Sequence, residues 1–448
     1  MGKHFSEPTG TGTNKGKAAL VALVVVVVAL VGAGACWALA QRGPASPEEP
    51  SQEAPSEEAP KEPTDSEEPD DSGDDSADPV PSAVPFSIEG VSADGPVTEA
   101  SSDASQIALS GEWSFGGDYA KIGSYPIDEK TVFGSSASDP DDMSSYVAST
   151  IGPAGDTALE EAQVSEPFFE PQDGTGTADR LVWRSTELSN LPTTGTDNWR
   201  LQTWSPSDGA VVLGTAEELN STSDTPMLDG EVVPTANESH AFFASNRAEG
   251  DAWVPSVLAY DLANPGSAPE VLGTGCYPAA TDDGALWAGD SSAEDGGGVL
   301  LDSLYRWSGS GSDSDKVFSL SSEGGSWGIS GVWSSDSASV VAFSSQTDAS
   351  QGCYVGIWSS DFASFRGWLH ASSPRVVGSL NNDWFVWGSG SQADNTEMYA
   401  YNLNEGTLGL LGNAPGYSRP AVARDNDAVL VPVSDGYNPV SFKVGTLA

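Results

Sequence analysis

Chemistry in this 448-residue chain has few histidines to draw on, because there are only three, His4, His240 and His370. Imidazole is the commonest general acid, base and metal ligand near neutral pH, so that scarcity narrows mechanism at once. His240 leads into the apolar run Ala241-Phe242-Phe243 and His370 ends the run Trp368-Leu369, so both read as packing or turn residues. No HExxH pair, paired CxxC or EF-hand loop occurs, which leaves zinc hydrolysis and EF-hand calcium binding without a basis, and serine acyl transfer is not expected. Gly12-Thr13-Asn14-Lys15-Gly16-Lys17 fails as a phosphate loop: Thr11 stands where the first glycine belongs, Ala18 where Ser or Thr belongs, and no strand precedes it. No catalytic residue, cofactor or metal site is assigned.

Carboxylates recur more regularly. Asp179, Glu238, Asp283, Asp336, Asp383 and Asp427 each stand before an apolar run, with amides at Asn237, Asn382 and Asn426. Asp and Asn bond their own backbone in tight turns, and that is the reading adopted. A glycosidase pair would need carboxyls about 5–9.5 Å apart, and turns on successive repeats are expected to lie farther apart than that. Of the 14 tryptophans, Trp183, Trp204, Trp287, Trp307, Trp358 and Trp387 fall in strand-like runs where packing calls for large side chains. Trp253 and Trp327 stand outside that scheme and are the candidate ligand contacts.

These residues are positioned by a repeat, clearest over residues 327–369. Gly328-Ile329-Ser330-Gly331-Val332-Trp333 turns through Ser334-Ser335-Asp336-Ser337 into Val340-Val341-Ala342-Phe343, the spacing of a β-hairpin. Tyr354-Val355-Gly356-Ile357-Trp358 and Phe365-Arg366-Gly367-Trp368-Leu369 supply two more strands. Four strands in about 43 residues is one propeller blade. Second strands end at Trp183, Phe243, Trp287, Phe343, Trp387 and Val431, with gaps of 60, 44, 56, 44 and 44 residues, so six units are countable. The sixth lacks a fourth strand after Phe442. Ring closure therefore calls for a segment within 106–151, with Tyr146 to Ile151 preferred. Residues 86–163 are otherwise poorly patterned and read as a cap, a ring-closing strand or a degenerate seventh blade.

Trp333-Ser334-Ser335-Asp336-Ser337-Ala338-Ser339-Val340-Val341-Ala342-Phe343 resembles the repeat of TolB-like and related WD40-like propellers. There Trp-Ser-Pro-Asp-Gly precedes an apolar strand ending in Ala-Phe; here Ser335 and Ser337 occupy the Pro and Gly positions. The resemblance covers 164–448, implies a six-bladed β-propeller with seven blades as the alternative, and carries no catalytic residues. Within such a ring Cys276 and Cys353, 77 positions apart, fall on the same face of neighbouring blades. A disulfide with Cα atoms roughly 4.4–6.8 Å apart is expected in an oxidising exterior, with two buried thiols as the alternative.

The N-terminal part is of another kind. Residues 1–17 carry Lys3, Lys15 and Lys17 against Glu7, and residues 18–40 carry no charge. As a helix those 23 residues span roughly 34 Å, enough to cross a bilayer with the N-terminus cytoplasmic. A cleaved signal ending at Ala38-Leu39-Ala40 and a lipid on Cys36 are the alternatives. Residues 41–85 are Pro-, Glu-, Ser- and Asp-rich, with 14 acids between Gln41 and Ala83, and are expected to form a disordered stalk. The formal charge is -47, which repels phosphate backbones and excludes nucleic acid as a partner. The expected protein is a membrane-anchored extracellular propeller, all-β, acting as a binding or scaffold module for a protein or envelope ligand. The alternative is a propeller hydrolase acting on glycans or peptides.

Overall fold

The computed structural model describes residues 83–117, 119–187, 196–228, 232–289, 301–311, 313–321, 327–389, 395–415, 419–433 and 441–448. The expected span 18–40, and the stalk up to residue 82, lie outside the described residues. Among the described residues no helix is long and apolar enough to cross a membrane.

Among the described residues strands dominate, in six sheets, and with the eight-stranded sheet divided at its shared strand Glu270–Ala280 they group into seven antiparallel four-stranded meanders. The first comprises Lys121–Asp128, Thr131–Ala137, Tyr146–Gly152 and Gly155–Ala158. The second comprises Phe169–Gly176, Leu181–Glu187, Trp199–Ser205 and Gly209–Thr215. Thr235–Ala236, His240–Glu249 and Ala252–Asp261 begin the third, whose outer strand is the first half of Glu270–Ala280. The second half of that strand opens the fourth, which continues through Ala285–Gly289, Ser303–Trp307 and Ser314–Leu320. Trp327–Ser334, Ala338–Ser345, Cys353–Ser359 and Phe365–Ala371 make the fifth; Val376–Leu380, Trp384–Ser389, Asn395–Asn402 and Thr407–Pro415 the sixth. The seventh takes Ala421–Val422, Ala428–Val433 and Ser441–Thr446, and borrows Ser110–Gly116 as its outer strand.

A second strand lies mid-sheet with a neighbouring meander against each face, so it is apolar throughout rather than alternating. Ala338–Ser345, buried over seven of its eight residues, is the example. The resulting hydrophobic clusters fill the seams between consecutive meanders. A seventh cluster, Val132 with Leu430, Phe442 and Val444, joins the last meander to the first. An open row would leave that seam exposed. The order is therefore a closed ring, the architecture of a β-propeller.

The inner hairpin turns are tied to one another by side chains. Asn237 accepts from the backbone N–H of Ser239 and His240 through Oδ1, while its Nδ2 donates 3.0 Å to the Thr281 carbonyl of the next meander. Asn381 accepts from Asp383 and Trp384 and donates 2.9 Å to the Asn426 carbonyl. Asn426 in turn accepts from Ala428 and donates 2.9 Å to Ile127. An amide has both an acceptor for its own turn and a donor for the neighbour, which a carboxylate lacks. Asn381, rather than Asn382, holds this position; Asn382 accepts from the Ser337 N–H of the preceding meander.

Residues 86–116 form a belt around the outside of the ring. Ile88–Glu89 pairs with the edge of the fourth meander, Val97–Glu99 runs parallel to that of the fifth, and Gln106 bridges to Leu410 on the sixth before Ser110–Gly116 completes the seventh. Phe86 pins the start of the belt among Trp327, Phe343, Tyr354 and Trp368. The indole N–H groups of Trp358 and Trp368 donate to the carbonyls of Ser92 and Ala93.

Three expectations are corrected. Tyr146–Gly152 does not close the ring, because it is the third strand of its own meander, paired on both sides. Ser110–Gly116 does so instead, with Trp113 and Phe115 packed on the seventh seam. Trp327, taken above to stand outside the packing scheme, is a core residue, 4% exposed against Phe86 and Tyr354. The disulfide is not formed: Cys276 and Cys353 are each buried, with no bridge between them. Strand alternation explains this, since Cys353 packs with Val355 and Ile357 toward the sixth meander, whereas Tyr354 and Trp358 face the fourth.

Candidate functional site

The inner strands of the first six meanders, with two residues flanking that of the seventh, line an axial cavity of about 100 Å³. Each meander's first strand runs toward its hairpin turn there, presenting Tyr125, Thr175, Thr235, Tyr277, Trp333 and Ser379 in chain order, with Arg419 and Arg424 flanking the inner strand of the seventh. Side chains lace the wall. Thr175 Oγ1 donates to the Pro234 carbonyl at 2.8 Å, Trp333 Nε1 to Gly378 at 2.9 Å and Ser379 Oγ to Val422 at 3.0 Å, each reaching the next meander. Tyr277 has φ 57 at the bulge where Glu270–Ala280 passes from the third meander to the fourth. Just before it, Gly275 at φ 150 leaves no room for a Cβ, which would lie 2.0 Å from the Ala288 carbonyl.

Both arginines reach other meanders, and Arg424 crosses the axis. Arg424 Nη1 donates 2.7 Å to the Ala236 carbonyl of the third meander, and its Nη2 lies 3.7 Å from Asp282 of the fourth and 4.0 Å from Asp336 of the fifth. Arg419 stands 3.6 Å from Asp173 of the second. The carboxyl of Asp282 hydrogen-bonds that of Asp336, and this contact, aided by partial burial and opposed by Arg424, raises the Asp282 pKa. Beside the cavity Arg184 is buried between Asp197 at 2.5 Å and Asp173 at 3.1 Å. Burial alone would lower its pKa, but the two carboxylates hold it above the ordinary value. Glu170, buried nearby on the same inner strand as Asp173, is pushed up to about 7 by desolvation, against a hydrogen bond from Gln172.

The turn acids Asp179, Glu238, Asp283, Asp336, Asp383 and Asp427 do lie on the inner hairpins. Turns on neighbouring meanders come closer than expected, since Asp336 meets Asp282, the residue beside Asp283. Asp383 is bonded to Asn404 instead, at 2.6 Å. His240 contacts Ser239 and stacks edge-on to Trp307, and His370 lies 2.7 Å from Glu99 of the belt, so both serve packing and docking. Trp253 is 39% exposed near the tip of the third meander's long hairpin, away from the cavity lining. Gly324-Gly325-Ser326-Trp327-Gly328 carries the letters of a serine elbow, but Trp327–Ser334 is a strand where that motif needs a helix. Sequence reasoning missed Arg419, Arg424, Asp282 and the Arg184 group. A signal existed: only 18 Lys and Arg occur in the chain, and two bracket one short inner strand.

No family model matches the chain. No curated protein matches it either. Solved structures do. It is similar to an oligogalacturonate lyase in complex with manganese, at 12% identity over 81% of this chain and 98% of that one, TM-score 0.47. It is similar to TolB from Acinetobacter baumannii at 11% identity over 62% and 79%, TM-score 0.36, and to the tricorn protease at 10% over 78% and 35%, TM-score 0.44. These are β-propellers, and the TolB-like resemblance stands at the level of fold. They assign this chain no ligand and no reaction.

Proposed function

We propose that this chain is a binding or scaffold module: a seven-bladed propeller held outside the cell by an anchor at residues 18–40 and an acidic stalk at 41–85. Its ligand is a protein or envelope component that places a small polar group in the axial cavity. The observation that supports this reading is the pair Arg419 and Arg424, two guanidiniums brought from one meander into a cavity walled by the inner strands of the other six. Fixed donors beside an aromatic wall of Tyr125, Tyr277 and Trp333 suit recognition of an oxygen-rich group. The test is calorimetry of the chain from residue 83 onward against small carboxylates, sugar acids and peptides, with Arg424→Ala as the matched protein. Ligands bound by the parent and lost in the variant support the reading; ligands held equally by both refute it. For topology, protease added to intact cells should release a soluble propeller from the stalk.

A hydrolase is the second reading, favoured by one observation: Asp282 and Asp336, from neighbouring meanders, both approach Arg424 Nη2, at 3.7 and 4.0 Å. The neighbouring Asp336 raises the Asp282 pKa, which suits Asp282 to the role of acid and leaves Asp336 that of base. Hydrolysis of glycan or peptide substrates that is abolished by Asp336→Asn would establish it.

A further inference from the structure

The belt divides the ring's rim into two unlike halves. Residues 86–116 add strand pairing to the outer edges of the fourth, fifth, sixth and seventh meanders. Among the described residues the outer strands of the first three have no second partner. Gly155–Ala158 is a four-residue strand, and the outer half of Glu270–Ala280 ends in the bulge. Gly209–Thr215 is different: seven residues, without a second strand partner along one side, and without a charge or proline, its one irregularity being the register shift at Leu213 that the outer strand of the fifth meander also shows in its own pairing. Val212 on it is 40% exposed, and Val271 on the neighbouring outer strand is 38% exposed.

We propose that Gly209–Thr215 is a docking edge for an extended, basic polypeptide segment that adds to the second meander as a fifth strand. The chain itself supplies the precedent, because Val97–Glu99 adds in this way to the equivalent outer strand of the fifth meander. Charge selects the occupant. Asp208, Glu217 and Glu218 flank the strand and Glu270 is exposed on the next one, while the described part of the chain is strongly acidic overall. A basic strand gains Coulomb attraction there, and alternation would set its apolar side chains over Val212 and its lysines over the acids. The chain's own acidic stalk has the wrong sign for this edge.

The experiment uses the chain from residue 83 onward with a peptide of alternating Lys and Val about nine residues long, against the matching Glu and Val peptide. Hydrogen exchange should show protection at 209–215 with the Lys peptide and none with the Glu peptide. Val212→Lys, at an exposed position that leaves the fold intact by circular dichroism, should weaken binding roughly tenfold or more, and raised salt should weaken it further. Protection elsewhere, equal binding of both peptides, or no binding at about 1 mM peptide would overturn the proposal. Self-association of the free chain that Val212→Lys abolishes would also overturn it, in favour of a second copy.

Discussion

The side-chain amide of Asn426 donates to the backbone carbonyl of Ile127 at 2.9 Å, joining the last meander to the first across 299 residues of sequence. The same amide's oxygen fixes its own turn through the Ala428 N–H. Asn426→Asp keeps the acceptor and removes the donor, leaving the Ile127 carbonyl facing a carboxylate. A loss of about 1–3 kcal/mol in urea unfolding is expected, and Asn426→Ala should lose at least as much. A variant as stable as the parent would show that the seam is held by its hydrophobic cluster alone.

The belt predicts a second effect. Phe86 is 7% exposed within an aromatic group, so Phe86→Ala should cost about 3–5 kcal/mol. Limited proteolysis should then cut first within 86–109. A chain starting at Val164 lacks both the first meander and the strand Ser110–Gly116, and should aggregate, whereas one starting at Ala83 should stay monomeric by light scattering.

Glu170 makes stability depend on pH. Its folded pKa of about 7 stands above that of a free glutamate because burial favours the neutral acid. The folded state therefore holds a proton that the unfolded chain releases at lower pH. Stability from this group is full below about pH 4.5 and declines as pH rises through 7. Glu170→Gln should flatten that decline by roughly 2–4 kcal/mol, read from urea midpoints across the range. An unchanged pH profile would place the carboxylate in water.

Arg184 is enclosed by Asp197 and Asp173. Arg184→Met should destabilise by about 3–5 kcal/mol, since it leaves Asp197, 6% exposed, without its counter-charge. Pairing it with Asp197→Asn should restore a large part of that loss. Strict additivity of the two changes would show that the residues act independently.

The thiols give a chemical test. Burial pushes the Cys353 thiol up to about 11, with hydrogen bonding to Ser344 and Ser330 acting against it. Slow alkylation of the native chain from residue 83 is expected, followed by two modified thiols per molecule once it is denatured without reductant. A mass lacking both modifications would mean that the cysteines pair.

Six of the meanders were legible in the sequence because their signals are local. A strand buried on both faces needs a continuous apolar run, and Trp183, Phe243, Trp287, Phe343, Trp387 and Val431 all lie on the second strands expected of them. Their turns need a side chain that accepts from its own backbone, which is why Asn237 and Asn426 recur there. The first meander was legible only as one of three readings of residues 86–163, for Lys121–Asp128 carries two register shifts that break its pattern. What only the tertiary structure decided depends on contacts between distant residues. Ser110–Gly116 rather than Tyr146–Gly152 closes the ring, a choice between two plausible strands settled by which edge each meets. Cys353 faces away from Cys276 because a strand alternates its faces, and one residue of register decides which neighbour a side chain meets. The axial cavity was the least legible of all. Arg419 and Arg424 gain their meaning from acids and carbonyls on other meanders, far away in sequence, and nothing in the residues around them encodes that contact.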